Sequence, residues 1–374
     1  MTPLALARYF LALGTTGFGG PIALVGYMQR DLVEKRGWFT ADELASGLAL
    51  AQMSPGPLAA QLALYLGWRR GGVFGATLAG VAFIAPSFLM VLVISALYVR
   101  YGELPWLRGA FTAVGAAVVG ILARSAFKLA RMTLARDPLL WSLAAANAVA
   151  VLALRRESLL ILVASGAIAY GWRAASAGHV ARALAPLWLL APHGAAAALS
   201  TMPQLAALFE YFAVAGVAVF GSGLAIVPYL FHGVVEQHGW LTDRQFLDAI
   251  AVSMVTPGPV VITVAFIGYL VAGIPGAVVS AVGVFLPVWL VVVVVAPYFD
   301  RVRRNAGARR FIDGITAGAT GAIGGAAALL SARVLTDAPA VAIAVVVVLA
   351  TATRLRVPEP VAIAGAGLLG VLLG

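Results

Sequence analysis

The chain has 374 residues, 62% of them hydrophobic and only 11% charged, with a formal net charge of +10 and a mean hydropathy of +0.99. A soluble domain carries about 25% charged residues, so the polar side chains here are too few to cover one water-soluble core. That excludes a soluble enzyme, a nucleic-acid binder and a disordered scaffold, and it leaves a polytopic membrane protein.

Windows of about 20 residues predict a broken apolar segment over 3–27, then a short pair over 40–54 and 55–70. Long spans follow over 72–99, 106–130, 138–154 and 157–174. A connector over 175–203 carries Pro186, Pro192 and Pro203. The second half repeats the series over 204–230, 242–256, 257–272, 275–299, 311–333, 338–354 and 358–374. The expected organisation is a repeat over 1–174, the connector, and a second repeat over 204–374. The first apolar stretch runs into turn residues and not into a cleavage site, so no cleavable leader is expected.

The two series are copies. Phe18-Gly19 corresponds to Phe220-Gly221, Tyr27 to Tyr229, Glu34 to Glu236 and Gly37-Trp38 to Gly239-Trp240. Pro55-Gly56-Pro57 corresponds to Pro257-Gly258-Pro259 at the same offset of 202. After a one-residue slip, Gly75-Ala76 pairs with Gly276-Ala277 and Pro86 with Pro287. An ordered set of this kind marks an internal duplication.

The helices flanking each Pro-Gly-Pro are about 15 residues, roughly 22 Å, short of the roughly 30 Å hydrocarbon core. Each is therefore read as a re-entrant pair that enters and leaves on one side. Five crossings per half remain, an odd number, so the second half is expected upside down. Positive charge agrees. Of the 25 basic residues, 17 fall in the loops around 28–39, 69–71, 131–136, 173–203, 300–310 and 354–357; 7 fall on the other face, and Arg124 lies within a span. The positive-inside rule makes the basic face cytoplasmic. The fold class is all-α and polytopic, an inverted-topology repeat with broken helices in each half, as in secondary transporters.

Phe18-Gly19-Gly20-Pro21, Gly37-Trp38, Leu50-Ala51-Gln52 before Pro55-Gly56-Pro57, and Thr256-Pro257-Gly258-Pro259 resemble the bacterial chromate ion transporters. So do Phe266-Ile267-Gly268-Tyr269 and Phe285-Leu286-Pro287. The likeness is to the long, two-domain members and runs from about Leu11 to Arg333. It implies a multi-pass protein of the bacterial inner membrane that exports chromate and gives chromate resistance, with sulfate as the structural analogue. Ala23-Leu24 and Gly115-Ala116 stand where that pattern often has polar or basic groups. A sulfate or other anion transporter and a passive anion channel are the alternatives.

Chromate is a tetrahedral dianion. A helix that starts inside the membrane offers it unpaired N–H groups and the positive end of a dipole. Ser54-Pro55 and Thr256-Pro257 read as N-caps followed by proline at the first helical position, with Gly56 and Gly258 admitting the ligand to backbone donors. Gly19, Gly20, Gly221 and Gly223 either supply facing irregular backbone or serve close helix packing. Gln52 offers its amide to the oxyanion or to a neighbouring carbonyl. Arg124 is a functional candidate by its depth; it either lines the anion path or snorkels to the surface with Lys128 and Arg131. Glu34 and Glu236 are candidates for a coupling proton, against interfacial pairing. Cysteine is absent, the four histidines show no ligand spacing and no nucleophile–base set is visible. Neither an enzyme, a cofactor nor a bound metal is expected. The expected partners are the oxyanion, a coupling proton and the bilayer, with a homodimer left open.

Overall fold

The computed structural model describes residues 2–18, 20–102, 104–134, 137–154, 159–175, 203–218, 226–299, 305–352 and 357–373. Among them every regular element is helical. The first half contains α1 (Pro3–Thr16), α2 (Gly20–Met28, continued by a π-helical stretch Gln29–Lys35), α3 (Ala41–Met53) and α4 (Leu58–Tyr101). It ends with α5 (Pro105–Thr133), α6 (Pro138–Leu154) and α7 (Leu159–Ala175). The second half contains α8 (Pro203–Ala218), α9 (Ile226–Phe231, continued by a π-helical stretch His232–Gln237), α10 (Asp243–Val255) and α11 (Thr263–Val295). It ends with α12 (Ala306–Val334), α13 (Ala338–Ala352) and α14 (Glu359–Leu373). Four described helices are long and apolar enough to cross a membrane: α4, α5, α12, and α11 with its flanking 3₁₀ turns.

The duplication extends to local chemistry. Thr40 accepts from the Glu43 amide while the Glu43 carboxylate accepts from the Thr40 amide, a capping box that starts α3. Thr242 and Gln245 repeat it at the start of α10. Both α4 and α11 contain a non-helical pair, Gly71-Gly72 and Ala272-Gly273, that folds the first part of the helix back on the second. Gly67 and Gly75 meet so closely that a side-chain carbon on either would overlap the other's carbonyl, and Gly268 and Gly276 do the same. Absence of side chains lets the backbones touch. Residues 41–70 and 243–271 are thus re-entrant pairs, as the short helix lengths require.

The segment over 3–27 differs from the expected span, because it does not run from one end of the molecule to the other. Pro3 lies against Gly71 at the turn of α4. The chain then returns to that same end, where Arg36 lies over the Tyr9 ring at 5.6 Å and Arg70 donates to the Trp38 carbonyl. With 14 residues, α1 is only about 21 Å long, and the reversal follows it, with Gly20 at φ +73°. A window average cannot see that reversal, since apolar residues continue through it. Tyr211 against His238, at 5.6 Å, repeats the closure in the second half. In each half two helix pairs therefore fold back on themselves, and the described helices long and apolar enough to cross are α4 and α5 in the first half and α11 and α12 in the second. Outside the spans, the Arg30 guanidinium bonds Asp31 at 2.9 Å and holds its carboxyl below the ordinary range.

Equivalent helices run antiparallel. Trp289, late in α11, donates to Thr77, early in the second part of α4, at 3.0 Å. Tyr98, at the far end of α4, packs on Phe266, just before the α11 turn, at 5.1 Å. The two turns therefore lie at opposite ends of the molecule. Ala175 and Pro203 do as well: α7 ends beside Gly307, whereas Gln204 reaches the Val271 carbonyl. The connector between them lies outside the described residues.

The halves also interlock. The first-half α5 packs against α13 and α14, and the second-half α12 packs against α6 and α7. Gly120 seats on the Ala344 carbonyl and Gly321 on that of Ala144. A labelling experiment checks the antiparallel arrangement. Val73 and Ile274 are equivalent, exposed and next to the two turns. Val73→Cys and Ile274→Cys, in a chain free of cysteine, are expected to react with an impermeant thiol reagent from opposite sides. Labelling of both from one side would exclude it.

Candidate anion site at the helix tips

The re-entrant tips that carry Gly56 and Gly258 each abut the opposite half of the molecule. The Gly258 amide donates to the Gly17 carbonyl at 3.0 Å, joining a second-half tip to a first-half tip. Gly14, just before that tip, lies against the Phe83 carbonyl and Pro86 of α4. The other first-half tip, at Gly56, lies against Val288 of α11, the residue after Pro287. Gly19, Gly221 and Gly223 lie outside the described residues, and Gly20 begins α2 beside the first tip.

The first break corrects the capping expectation. Ser54 does not start a helix; it ends α3, with its amide and hydroxyl both donating to the Leu50 carbonyl at 2.9 and 2.7 Å. Gly56, at φ +135°, bends the chain in a conformation that favours glycine, and α4 begins only at Leu58, where Pro57 supplies no side-chain cap. The amide that spans the gap belongs to Gln61, which is fully buried, while Gln52 is exposed on α3. Gln61 donates to the Ser54 hydroxyl at 2.9 Å and to the Pro55 carbonyl at 2.6 Å. It thereby occupies acceptors that would otherwise repel an anion. A Cβ on Gly56 would come within 2.8 Å of the Gln61 Nε2 and 2.9 Å of Val288.

The second break is built alike but lined differently. Thr256 ends α10, its amide and hydroxyl donating to the Val252 carbonyl at 3.0 and 2.8 Å. Gly258 stands at φ +102° and faces Ser87 of α4, whose hydroxyl a Cβ would overlap. Ser87 is fully buried, and its Oγ has no hydrogen-bond partner. The repeat equivalent of Ser87 is Val288, so this hydroxyl occurs at one break alone. Met254, equivalent to Gln52, is buried.

Ionisable groups flank the tips on both sides. Toward the basic face, Arg124 Nη1 of α5 lies 3.7 Å from Glu359 Oε1 at the start of α14, with their side chains 25% and 27% exposed. Glu359 also lies 3.9 Å from where a Cβ on Gly20 would stand. Toward the opposite end, Tyr98 donates to Asp248 Oδ2 at 2.7 Å. The carboxylates singled out by the repeat are placed at the periphery. Glu34 accepts from Gln29 at 3.3 Å, and Glu236 pairs with Arg333 at 2.6 Å and His232 at 3.1 Å. Sequence reasoning missed Gln61, Ser87, Glu359 and Asp248. A polar or acidic residue inside an apolar run was the available signal for each.

The arrangement suits a small multivalent anion: uncapped helix starts, a buried hydroxyl without a partner, and a cation at one approach. Among the described residues no cluster of His, Asp and Glu could hold a metal. A family model described as Chromate transporter matches residues 4–172 and 206–371. The chain is 49% identical over 346 residues to the chromate transport protein of Cupriavidus metallidurans, covering 89% of this chain and 84% of the relative. It is 48% identical over 337 residues to a probable chromate transport protein of Synechococcus elongatus, covering 89% and 86%. A chromate transport protein of Pseudomonas aeruginosa is 32% identical over 336 residues, covering 86% and 79%. No solved structure matches the chain significantly. With both halves matched by one model, the chain belongs to the chromate transporter family.

Proposed function

We propose that the chain carries chromate out of the cell across the bacterial inner membrane, holding the dianion where the re-entrant tips meet. One observation carries the placement: the buried, unpartnered Ser87 hydroxyl turned into the gap beside Gly258. A hydroxyl left unpaired at depth costs about 1–3 kcal/mol, which an oxyanion oxygen offsets by accepting from it. The uncapped starts at Leu58 and Val260 add amides and positive dipole ends on the same ligand. Outward movement of negative charge follows the membrane potential, at about 2.3 kcal/mol per charge per 100 mV. The names of the relatives support chromate as the substrate, and sulfate shares its shape and charge.

Transport of labelled chromate and sulfate in vesicles of both orientations, with and without an imposed potential or proton gradient, tests this reading. Chromate accumulation in inside-out vesicles with the interior positive, outcompeting sulfate, is expected. Preference for sulfate would reassign the substrate. Flux that only dissipates a gradient and never couples to a second ion would indicate a channel.

A further inference from the structure

Asp248 is 1% exposed and lies in the second turn of α10, the helix that leads to the second tip. A carboxylate kept permanently ionised at such depth collects several donors. This one has a single bond, from Tyr98 at 2.7 Å, and its Oδ1 has no partner. Arg244, one turn earlier, holds Nε 3.9 Å from Oδ2, beyond bonding distance, and that Nε is itself buried without a partner. Among the described residues, Tyr98 of α4 and Arg244 of α10 are the titratable and charged groups bearing on Asp248. The other carboxylate of α10, Asp243, is already paired with Arg333. The repeat equivalent of Asp248 is Ser46, so the first half has no matching acid.

Position connects this group to the tip. Asp248, Val252 and Thr256 follow at four-residue intervals on one face of α10, and Thr256 closes the helix at the break. Asp248 is about 12 Å from the break along the helix axis. On the partner helix, Ser87 and Tyr98 are three turns apart and share a face. The two helices therefore meet twice, at Ser87 with Gly258 and at Tyr98 with Asp248.

We propose that Asp248 is the proton-binding group of the transport cycle, protonated when the dianion occupies the tips and ionised when they are empty. This rests on the reading of the tips as the anion site. An ionised Asp248 repels a dianion at that separation, whereas a neutral one does not. By reciprocity the anion raises the proton affinity of Asp248 as much as the proton raises that of the anion. At about 12 Å and an effective dielectric near 20, the effect is on the order of tenfold to a hundredfold in affinity. The sign is fixed: affinity for the dianion falls as pH rises through the Asp248 titration.

Equilibrium binding of labelled chromate to the purified full-length protein is measured across the pH range in which chromate itself stays a dianion. The native protein is expected to lose affinity by about tenfold or more as pH rises. Asp248→Asn, permanently neutral, is expected to bind tightly and without pH dependence. Tyr98→Phe removes the donor that favours the ionised form, so the fall in affinity should move to higher pH. An Asp248→Asn protein that keeps the native pH dependence would overturn the proposal and leave the tip site standing. Absence of oxyanion binding by the native protein would overturn the tip site, and this inference with it.

Discussion

Gly258→Ala is expected to abolish chromate transport while Gly239→Ala leaves it nearly unchanged, with both proteins inserted. Both glycines have positive φ, +102° and +59°. Around Gly239 nothing lies within 4 Å of a new Cβ, so that variant bears only the left-handed backbone cost of about 1–2 kcal/mol. At Gly258 the methyl group overlaps the Ser87 hydroxyl. Strain of about 1–3 kcal/mol then adds to overpacking of about 1–3 kcal/mol, at the bond that joins two tips. Adding Ser87→Ala removes the overlapped atom. Recovery of assembly without recovery of transport identifies the hydroxyl as a ligand for the anion. Recovery of both reduces the gap to a packing feature. Gly56→Val should behave like Gly258→Ala, with Gln61 displaced in place of Ser87.

The second large effect belongs to the ion pair between the halves. Arg124→Gln is expected to lower transport at least tenfold and to weaken assembly, because Glu359 then stands alone. A fully buried carboxylate stripped of its partner costs about 3–5 kcal/mol, and partial exposure reduces that figure. Glu359→Gln frees Arg124 for the anion and should tighten binding while slowing release. The double variant Arg124→Gln with Glu359→Gln separates the roles. Thermal stability should return toward the native value because no charge is orphaned, yet transport should stay low because the cation is missing. Return of both would leave Arg124 as a packing partner of Glu359.

Much of this architecture is legible in the sequence, because the spans and breaks are written in local chemistry. Apolar runs bounded by Pro105, Pro138 and Ala338 coincide with helix starts, and the offset of 202 anticipates the paired capping boxes. Tertiary information is what the sequence withholds. Ser54 and Thr256 have the composition of N-caps, but their hydroxyls bond backward to Leu50 and Val252, because the positive φ of the glycine two residues on delays the following helix. Gln52 adjoins the break in sequence, yet helix geometry turns it outward and brings in Gln61 seven residues after Ser54. Ser87 reaches Gly258 from the other half of the chain, and Glu359 reaches Arg124 across 235 positions. Local pattern carries no signal for either contact.

The exchange of helices between the halves bears on how the protein is made. Synthesis delivers the N-terminal half first, but α5 cannot complete its packing until α13 and α14 emerge, roughly 200 residues later. Through most of translation, the Arg124 charge waits in the bilayer without Glu359, and the glycine seat at Gly120 is empty. The nascent first half is therefore an incompletely packed unit, not a finished domain. Losing α14 alone should expose α5, some 230 residues upstream, to proteolysis. Conversely, two separately synthesised halves hold complementary grooves, and their assembly in the membrane supplies each with the helices it lacks.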